Sequence, residues 1–136
     1  MSYLLDTSTC VELMRPKPSL TRARADRVRT RGERMVLSSV VMFELWYGVF
    51  KSERTAESQR KLNSFMLGVD EVCDLDDADA RVAGEIRAQL EAVGKTIGAY
   101  DTLIAAQCLN RNFTLVTSNI SELRRVNGLR WEDWSK

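Results

Sequence analysis

The sequence predicts an α/β domain with a mostly parallel central sheet of about five strands flanked by helices. Three observations point there. Short apolar runs of strand length alternate with amphipathic helical patterns along the whole chain. The 136 residues are 44% hydrophobic and 29% charged, with seven glycines and two prolines, which is a globular balance and not a disordered one. The length fits one domain, residues 1–136, without internal repeat or linker, and is enough to bury a core that needs no disulfide or zinc staple.

The elements follow in order. Residues 2–5 are a short apolar run that ends in Asp6, read as a buried strand. Thr9 and Glu12 have the spacing of a capping box, which predicts a helix that stops before Pro16. Residues 19–30 form an arginine-rich helix closed by Gly32, and residues 35–37 a second strand. Ser38 or Ser39 caps a third helix towards Phe50, and a fourth covers residues 54–66. A strand over 69–75 leads to Asp76 or Asp77, either of which can cap a long helix ending at Gly94. A helix over 100–109, a strand over 113–117, a turn at Ser118 and Asn119, a helical turn over 121–125 and a last strand over 129–131 complete the chain. In sheets of this kind ligands bind where strand ends meet helix starts, beside a reversal in strand order.

The histidine count is zero. That excludes Ser-His-Asp and Cys-His nucleophile systems, His-ligated zinc and imidazole acid–base catalysis. Cys10, Cys73 and Cys108 are far apart, lie beside apolar residues and form no CxxC pair, so buried free thiols in a reducing cytoplasm are expected. No basic, apolar leader opens the chain and no apolar run is long enough to span a bilayer, so no membrane association is expected.

The net charge of +1 predicts no partner, but its distribution is uneven. Residues 15–34 hold eight cations (Arg15, Lys17, Arg22, Arg24, Arg27, Arg29, Arg31, Arg34) against Asp26 and Glu33. Residues 70–91 hold eight acids against Arg81 and Arg87. The split suggests either a face for a polyanion or two solvated helix faces.

Three acids stand where acids need a reason. Asp6 ends the first apolar strand, where it can serve as a helix N-cap. Glu44 shares a helical face with Val40, Val41, Tyr47 and Gly48, the side that should be buried. Asp101 heads an apolar stripe of Ile104, Ala105 and Cys108, and it too can be an N-cap. All three fall at strand ends or early in the following helix, and no Lys or Arg shares their apolar faces. Three ionised carboxylates converging to about 4 Å would repel by about 4 kcal/mol per pair at an effective dielectric near 20. Protonation, separation or a hard cation relieves that repulsion, and oxygen-only ligands suit Mg²⁺ or Mn²⁺. A carboxylate cluster of this kind supports phosphodiester hydrolysis without histidine. Thr117, Ser118 and Asn119, at a strand end and followed by Glu122, can add neutral oxygens or form a plain turn.

These residues resemble the PIN-domain ribonucleases, and more narrowly the VapC-type toxins of bacterial toxin–antitoxin pairs. The resemblance covers essentially the whole chain. It rests on the Tyr3-Leu4-Leu5-Asp6-Thr7 start, Met42-Phe43-Glu44-Leu45-Trp46-Tyr47-Gly48, the stretch from Ile97 to Ala106 around Asp101, Leu115-Val116-Thr117-Ser118-Asn119, and the Leu129-Arg130-Trp131-Glu132-Asp133-Trp134 end. It implies a PIN-like three-layer sandwich and a metal-dependent endoribonuclease that uses Mg²⁺ or Mn²⁺ and leaves a 3′-hydroxyl and a 5′-phosphate. Asp6 and Asp101 match the primary metal ligands, with Glu44 ligating directly or through water. Asn119 stands at a fourth catalytic position that is often Asp in the family, and a neutral amide there binds a second ion more weakly. Ser8, and the Ala99-Tyr100 pair, also depart from the common pattern. Thr7, Thr117 and Asn119 would orient waters. Arg22, Arg24, Arg27, Arg29 and Arg31 would hold RNA phosphates. The expected partners are RNA, in some relatives a transfer RNA, a VapB-like antitoxin and a second copy of the chain, with no nucleotide cofactor. Trp46, Tyr47, Phe50, Leu62, Phe65 and Met66 are core candidates that can also build the homodimer or an antitoxin groove.

Two other classes remain open from the residues. A strand-end Asp can accept a phosphoryl group, as in haloacid-dehalogenase or receiver proteins, although the second Asp of such phosphatases is missing after Asp6-Thr7-Ser8. A catalytically degenerate RNA- or protein-binding module is the non-enzymatic alternative.

Overall fold

A computed structural model describes all 136 residues. The chain runs β1 (Ser2–Leu5), α1 (Thr7–Met14), α2 (Leu20–Thr30), β2 (Arg34–Ser38), α3 (Ser39–Lys51), α4 (Thr55–Met66), β3 (Glu71–Cys73), α5 (Asp77–Ala92), α6 (Ala99–Arg111), β4 (Thr114–Val116), α7 (Ile120–Leu123) and β5 (Trp131–Glu132). The five strands form one sheet in the order β3-β2-β1-β4-β5, parallel throughout, where the sequence suggested mostly parallel. Right-handed crossovers put the helices between β1 and β3 on one face and α5 and α6 on the other. The result is a three-layer α/β sandwich of the expected kind.

The central strands read as continuous apolar runs because both of their faces are covered. Leu4, Leu5, Val36, Leu37, Leu115 and Val116 are completely buried. Trp134 closes the far edge of the core, its ring 5.4 Å from that of Tyr3. The three cysteines are free and buried, as expected, and burial pushes their thiols up in pKa. No helix is long and apolar enough to cross a membrane.

Several local expectations are corrected. Thr9 does not open α1. Asp6 has extended backbone and accepts from the Thr9 amide at 2.9 Å, so it is the N-cap, and the Thr9 hydroxyl instead donates to the Val116 carbonyl at 3.2 Å. The third strand is shorter than residues 69–75, because Asp70 binds Met35 through backbone and side chain and the Leu75 amide turns to the Ser39 hydroxyl. The last strand lies at Trp131–Glu132, not 129–131, in register with Leu115 and Val116. The helix expected over 100–109 starts at Ala99 and extends to Arg111, where Asn112 adopts left-handed backbone with φ 60°.

The acidic segment is not merely a solvated face. Asp76 and Asp79 form a reciprocal capping box at the start of α5, and Asp79 is completely buried. Its carboxylate accepts from Arg111 Nη2 at 2.9 Å and Asn110 Nδ2 at 2.8 Å, both on α6. Gln107 Nε2 also donates to the Cys73 carbonyl at 3.2 Å, tying α6 to the end of β3. The C-terminal half of α6 is thereby fixed, and its N-terminal turn, which carries Asp101, is held at the rim of the sheet.

Candidate active site

The strand order reverses between β1 and β4, since β2 and β3 extend the sheet one way and β4 and β5 the other. The C-terminal ends of those two strands are the expected ligand position in a parallel sheet. Asp6 follows β1 directly. Its backbone amide continues the ladder to the Val116 carbonyl at 3.0 Å, and only 8% of the residue is exposed. Its Oδ1 accepts from the Thr9 amide and from the Ser8 hydroxyl at 3.1 Å. Asp6 is thus the N-cap of α1, with its carboxylate at the rim of the sheet.

Glu44 projects from α3, which begins straight after β2 with Ser38 as its N-cap. Its Oε1 accepts from the Thr7 hydroxyl at 2.7 Å, linking the start of α1 to α3. Asp101 lies in the first turn of α6, but it is not the cap, because Gly98 occupies that position. Asn119, just beyond β4, donates through Nδ2 to Asp101 Oδ2 at 3.0 Å and to Glu122 Oε2 at 2.9 Å. Thr117 is buried, and its hydroxyl accepts from the Asn119 amide at 3.0 Å. Thr117 thus shapes the turn that presents Asn119.

The other acids of the rim act on Asp101. Burial pushes the Asp101 carboxyl above its usual range; the Asn119 amide opposes this, and the charges of Asp6, Glu122 and Glu44 add to it. None of these four acids takes part in any ion pair of the structure. Their partners are hydroxyls and amides, which orient a carboxylate without cancelling its charge. No three acidic side chains lie close enough together here to hold a metal ion between them. The donor types still suit a hard divalent ion, being carboxylate oxygens without a paired cation. Mg²⁺ keeps several waters and commonly takes only one or two carboxylates.

Glu122 is the residue that sequence reasoning noticed and left without a role. Its only signal is the i, i+3 spacing from Asn119 across a helical turn. Three of the five arginines in and just after α2 already have partners within the protein. Arg22 donates to the carbonyls of Leu13 and Arg15 at 2.6 and 2.7 Å, closing the connection after α1. Arg24 pairs with Glu132 at 2.6 Å, and Arg29 with Asp26 at 3.4 Å. The end of α2 leads into Arg34, which sits beside Ser2 where the parallel strands begin. The turn holding Arg27, Arg29 and Arg31 therefore lies at the opposite edge of the sheet from the acids, and the structure does not bring them together. Of the six aromatic and apolar candidates on α3 and α4, Leu62 is core, Trp46, Phe65 and Met66 are partly buried against it, and Tyr47 and Phe50 are exposed.

Comparison with known proteins agrees with this fold. The family model described as "PIN domain" matches residues 3–129, and the chain belongs to the PIN-domain family. Within that family it groups with the VapC proteins. It is 36% identical over 135 residues to the tRNA(fMet)-specific endonuclease VapC of Shigella flexneri, covering 99% of each chain. It is also 36% identical to Ribonuclease VapC2 of Rickettsia felis over the full length of both. The crystal structure of VapBC2 from Rickettsia felis bound to a DNA fragment from their promoter superposes with a TM-score of 0.91 at 34% identity, over 98% of this chain and 99% of the other.

Proposed function

We propose that the protein is a Mg²⁺- or Mn²⁺-dependent endoribonuclease, acting as the toxin of a toxin–antitoxin pair in the cytoplasm. The observation that carries this reading is Asp101, a part-buried carboxylate whose pKa is raised by burial and by three other acids, with no cation beside it. Asp6 and Asp101 would hold the ion, with Glu44 ligating directly or through water. When bound, such an ion lowers the pKa of water and neutralises charge on a phosphate. Thr7 fixes the Glu44 carboxylate by its 2.7 Å hydrogen bond. Asn119 holds Asp101 and Glu122 at a set separation through one amide group, so that Asp101 keeps its second oxygen for the cleft. Asp6 is oriented by the α1 amide that it caps.

RNA is the substrate class because the relatives are named as ribonucleases, and a transfer RNA is the first to test because the Shigella relative is named for one. A VapB-like antitoxin is the partner, on the strength of the toxin–antitoxin complex that the fold matches. The exposed Tyr47 and Phe50 on α3 are candidates for contact with a second copy in a homodimer. The test is cleavage of bulk transfer RNA by purified protein with Mg²⁺ or Mn²⁺, beside Asp101→Asn. The wild type should cut and the variant should not; equal rates would refute the reading. Incubation with acetyl phosphate checks the rival: a labile phosphate on Asp6 would favour a phosphotransferase.

A further inference from the structure

Lys95, Arg124 and Arg125 meet around a depression of about 500 Å³, lined otherwise by Gly94, Thr96 and Ser121 and by no apolar side chain. None of the three cations takes part in an ion pair. Some exposed cations pair with an acid one turn away on their own helix, as Arg81 does with Glu85, Arg87 with Glu91 and Lys61 with Glu57, whereas no acid lines this hollow. Three like charges crowded into one polar hollow repel one another and lack the counter-charge that a mixed surface provides. The hollow is also built. Arg125 Nη1 donates to the Thr96 carbonyl at 3.0 Å, which draws the end of α7 onto the loop before α6.

Its place relative to the acids is set by the same two segments. Thr96 lies two residues before Gly98, the N-cap of the helix that carries Asp101. Ser121 lies on α7 between Asn119 and Glu122. The basic hollow and the acids therefore draw on the same two segments, the start of α6 with the loop before it and the α7 turn. A strand with one phosphate at the acids has its neighbouring phosphates available to such a hollow, whose hydroxyls and cations are donors for phosphate oxygens.

We propose that Lys95, Arg124 and Arg125 bind a phosphate of the RNA strand flanking the acidic cleft and so position the scissile bond. This assignment rests on RNA as the substrate. It moves the backbone contact from α2, where charge along the sequence suggested it, to the α7 side of the sheet. The three are positioning residues: they fix where the strand lies and take no part in bond breaking.

The test compares wild type, the double variant Lys95→Gln with Arg124→Gln, and the α2 double variant Arg27→Gln with Arg31→Gln. Binding of a fluorescein-labelled single-stranded oligoribonucleotide is read by anisotropy in EDTA, with KCl raised from roughly 50 to 200 mM. Each lost phosphate contact lowers the slope of log K against log salt by about 0.7, so the pocket variant should lose about 1.4. Over that fourfold salt range, its loss of affinity shrinks by about sevenfold relative to wild type. In Mg²⁺ the same variant should cleave with a raised KM and a lowered kcat/KM. The α2 variant should keep the wild-type slope. An unchanged slope in the pocket variant, or an equal fall in the α2 variant, overturns the proposal; so does a pocket variant impaired only in antitoxin binding. If the wild type binds RNA with the expected slope but cuts none, the enzymatic reading fails while the binding site stands.

Discussion

Replacing Asn119 with Asp is the most informative single change in the cleft. The amide nitrogen lies 3.0 Å from Asp101 and 2.9 Å from Glu122 and donates to both. The variant turns two attractive contacts into two like-charge contacts at nearly the same distance. At an effective dielectric near 20, each is repulsive by about 5 kcal/mol before relaxation. The sum rivals the whole stability of a small domain, about 5–15 kcal/mol. The site is part-exposed, so side-chain rotation, water and partial protonation absorb most of it. A measured loss of about 2–4 kcal/mol in EDTA near neutral pH is expected, or roughly 10 °C in Tm. The added acid has a folded pKa above its unfolded value. Its penalty is therefore full above the raised pKa and disappears as pH falls below the unfolded value, so the gap to wild type should narrow from about pH 7.5 to about pH 5. A divalent ion should narrow the gap to wild type, because the new carboxylate is a better ligand than the amide. A tenfold gain in affinity adds about 1.4 kcal/mol of stabilisation at saturating Mn²⁺. Thermal melting with and without Mn²⁺ at both pH values reads all of this. An Asn119→Asp protein that melts like wild type in EDTA, or gains no more from Mn²⁺ than wild type does, refutes the reasoning.

Other outcomes follow from the same geometry. Asp101→Asn should abolish cleavage yet melt higher than wild type in EDTA near neutral pH, since it removes the carboxylate whose ionised form burial and three acids disfavour; circular dichroism melts check this. Asp79→Ala should destabilise the fold by about 3–5 kcal/mol in urea titrations, because it leaves the Arg111 guanidinium without its buried partner. Burial alone would raise the Asp79 carboxyl, but hydrogen bonds from Arg111, the Asp76 amide and Asn110 hold it far below the usual carboxylate range. The wild type should therefore lose that stabilisation only as pH falls below the ordinary carboxylate range towards the depressed value, and Asp79→Ala should show a flatter acid limb. Thr7→Val should cost only about 1 kcal/mol of stability but weaken Mn²⁺ binding, because Glu44 loses the 2.7 Å hydrogen bond that aims it; calorimetric titration separates the two effects.

The three acids were legible because each breaks a local rule. Asp6 interrupts an apolar run, while Glu44 and Asp101 occupy stripes that ought to be apolar, and the alternating α/β pattern puts all three on one rim. Glu122 was not legible, since a Glu on an exposed-looking helical turn breaks no rule until Asn119 is seen to bridge it to Asp101. The arginines at the end of α2 were not placed by the sequence for a related reason. A charge run gives sign but not direction, and only the pairing of Arg34 beside Ser2 shows that the helix ends at the wrong edge of the sheet. The Thr9 and Glu12 spacing failed as a capping signal because Asp6, three residues earlier, already had the strand-end backbone that a cap requires. The acidic run concealed a buried member in the same way, as Asp79 finds its partner 32 residues away on α6.

Calorimetric titration of Mn²⁺ into the wild type, Asp6→Asn, Glu44→Gln and Asp101→Asn bears most directly on the shared cleft. The account predicts one carboxylate-dependent site in the wild type, weakened by tenfold or more in Asp6→Asn and Asp101→Asn and to a lesser degree in Glu44→Gln. Unchanged Mn²⁺ affinity in both aspartate variants, or no binding in the wild type, would contradict it.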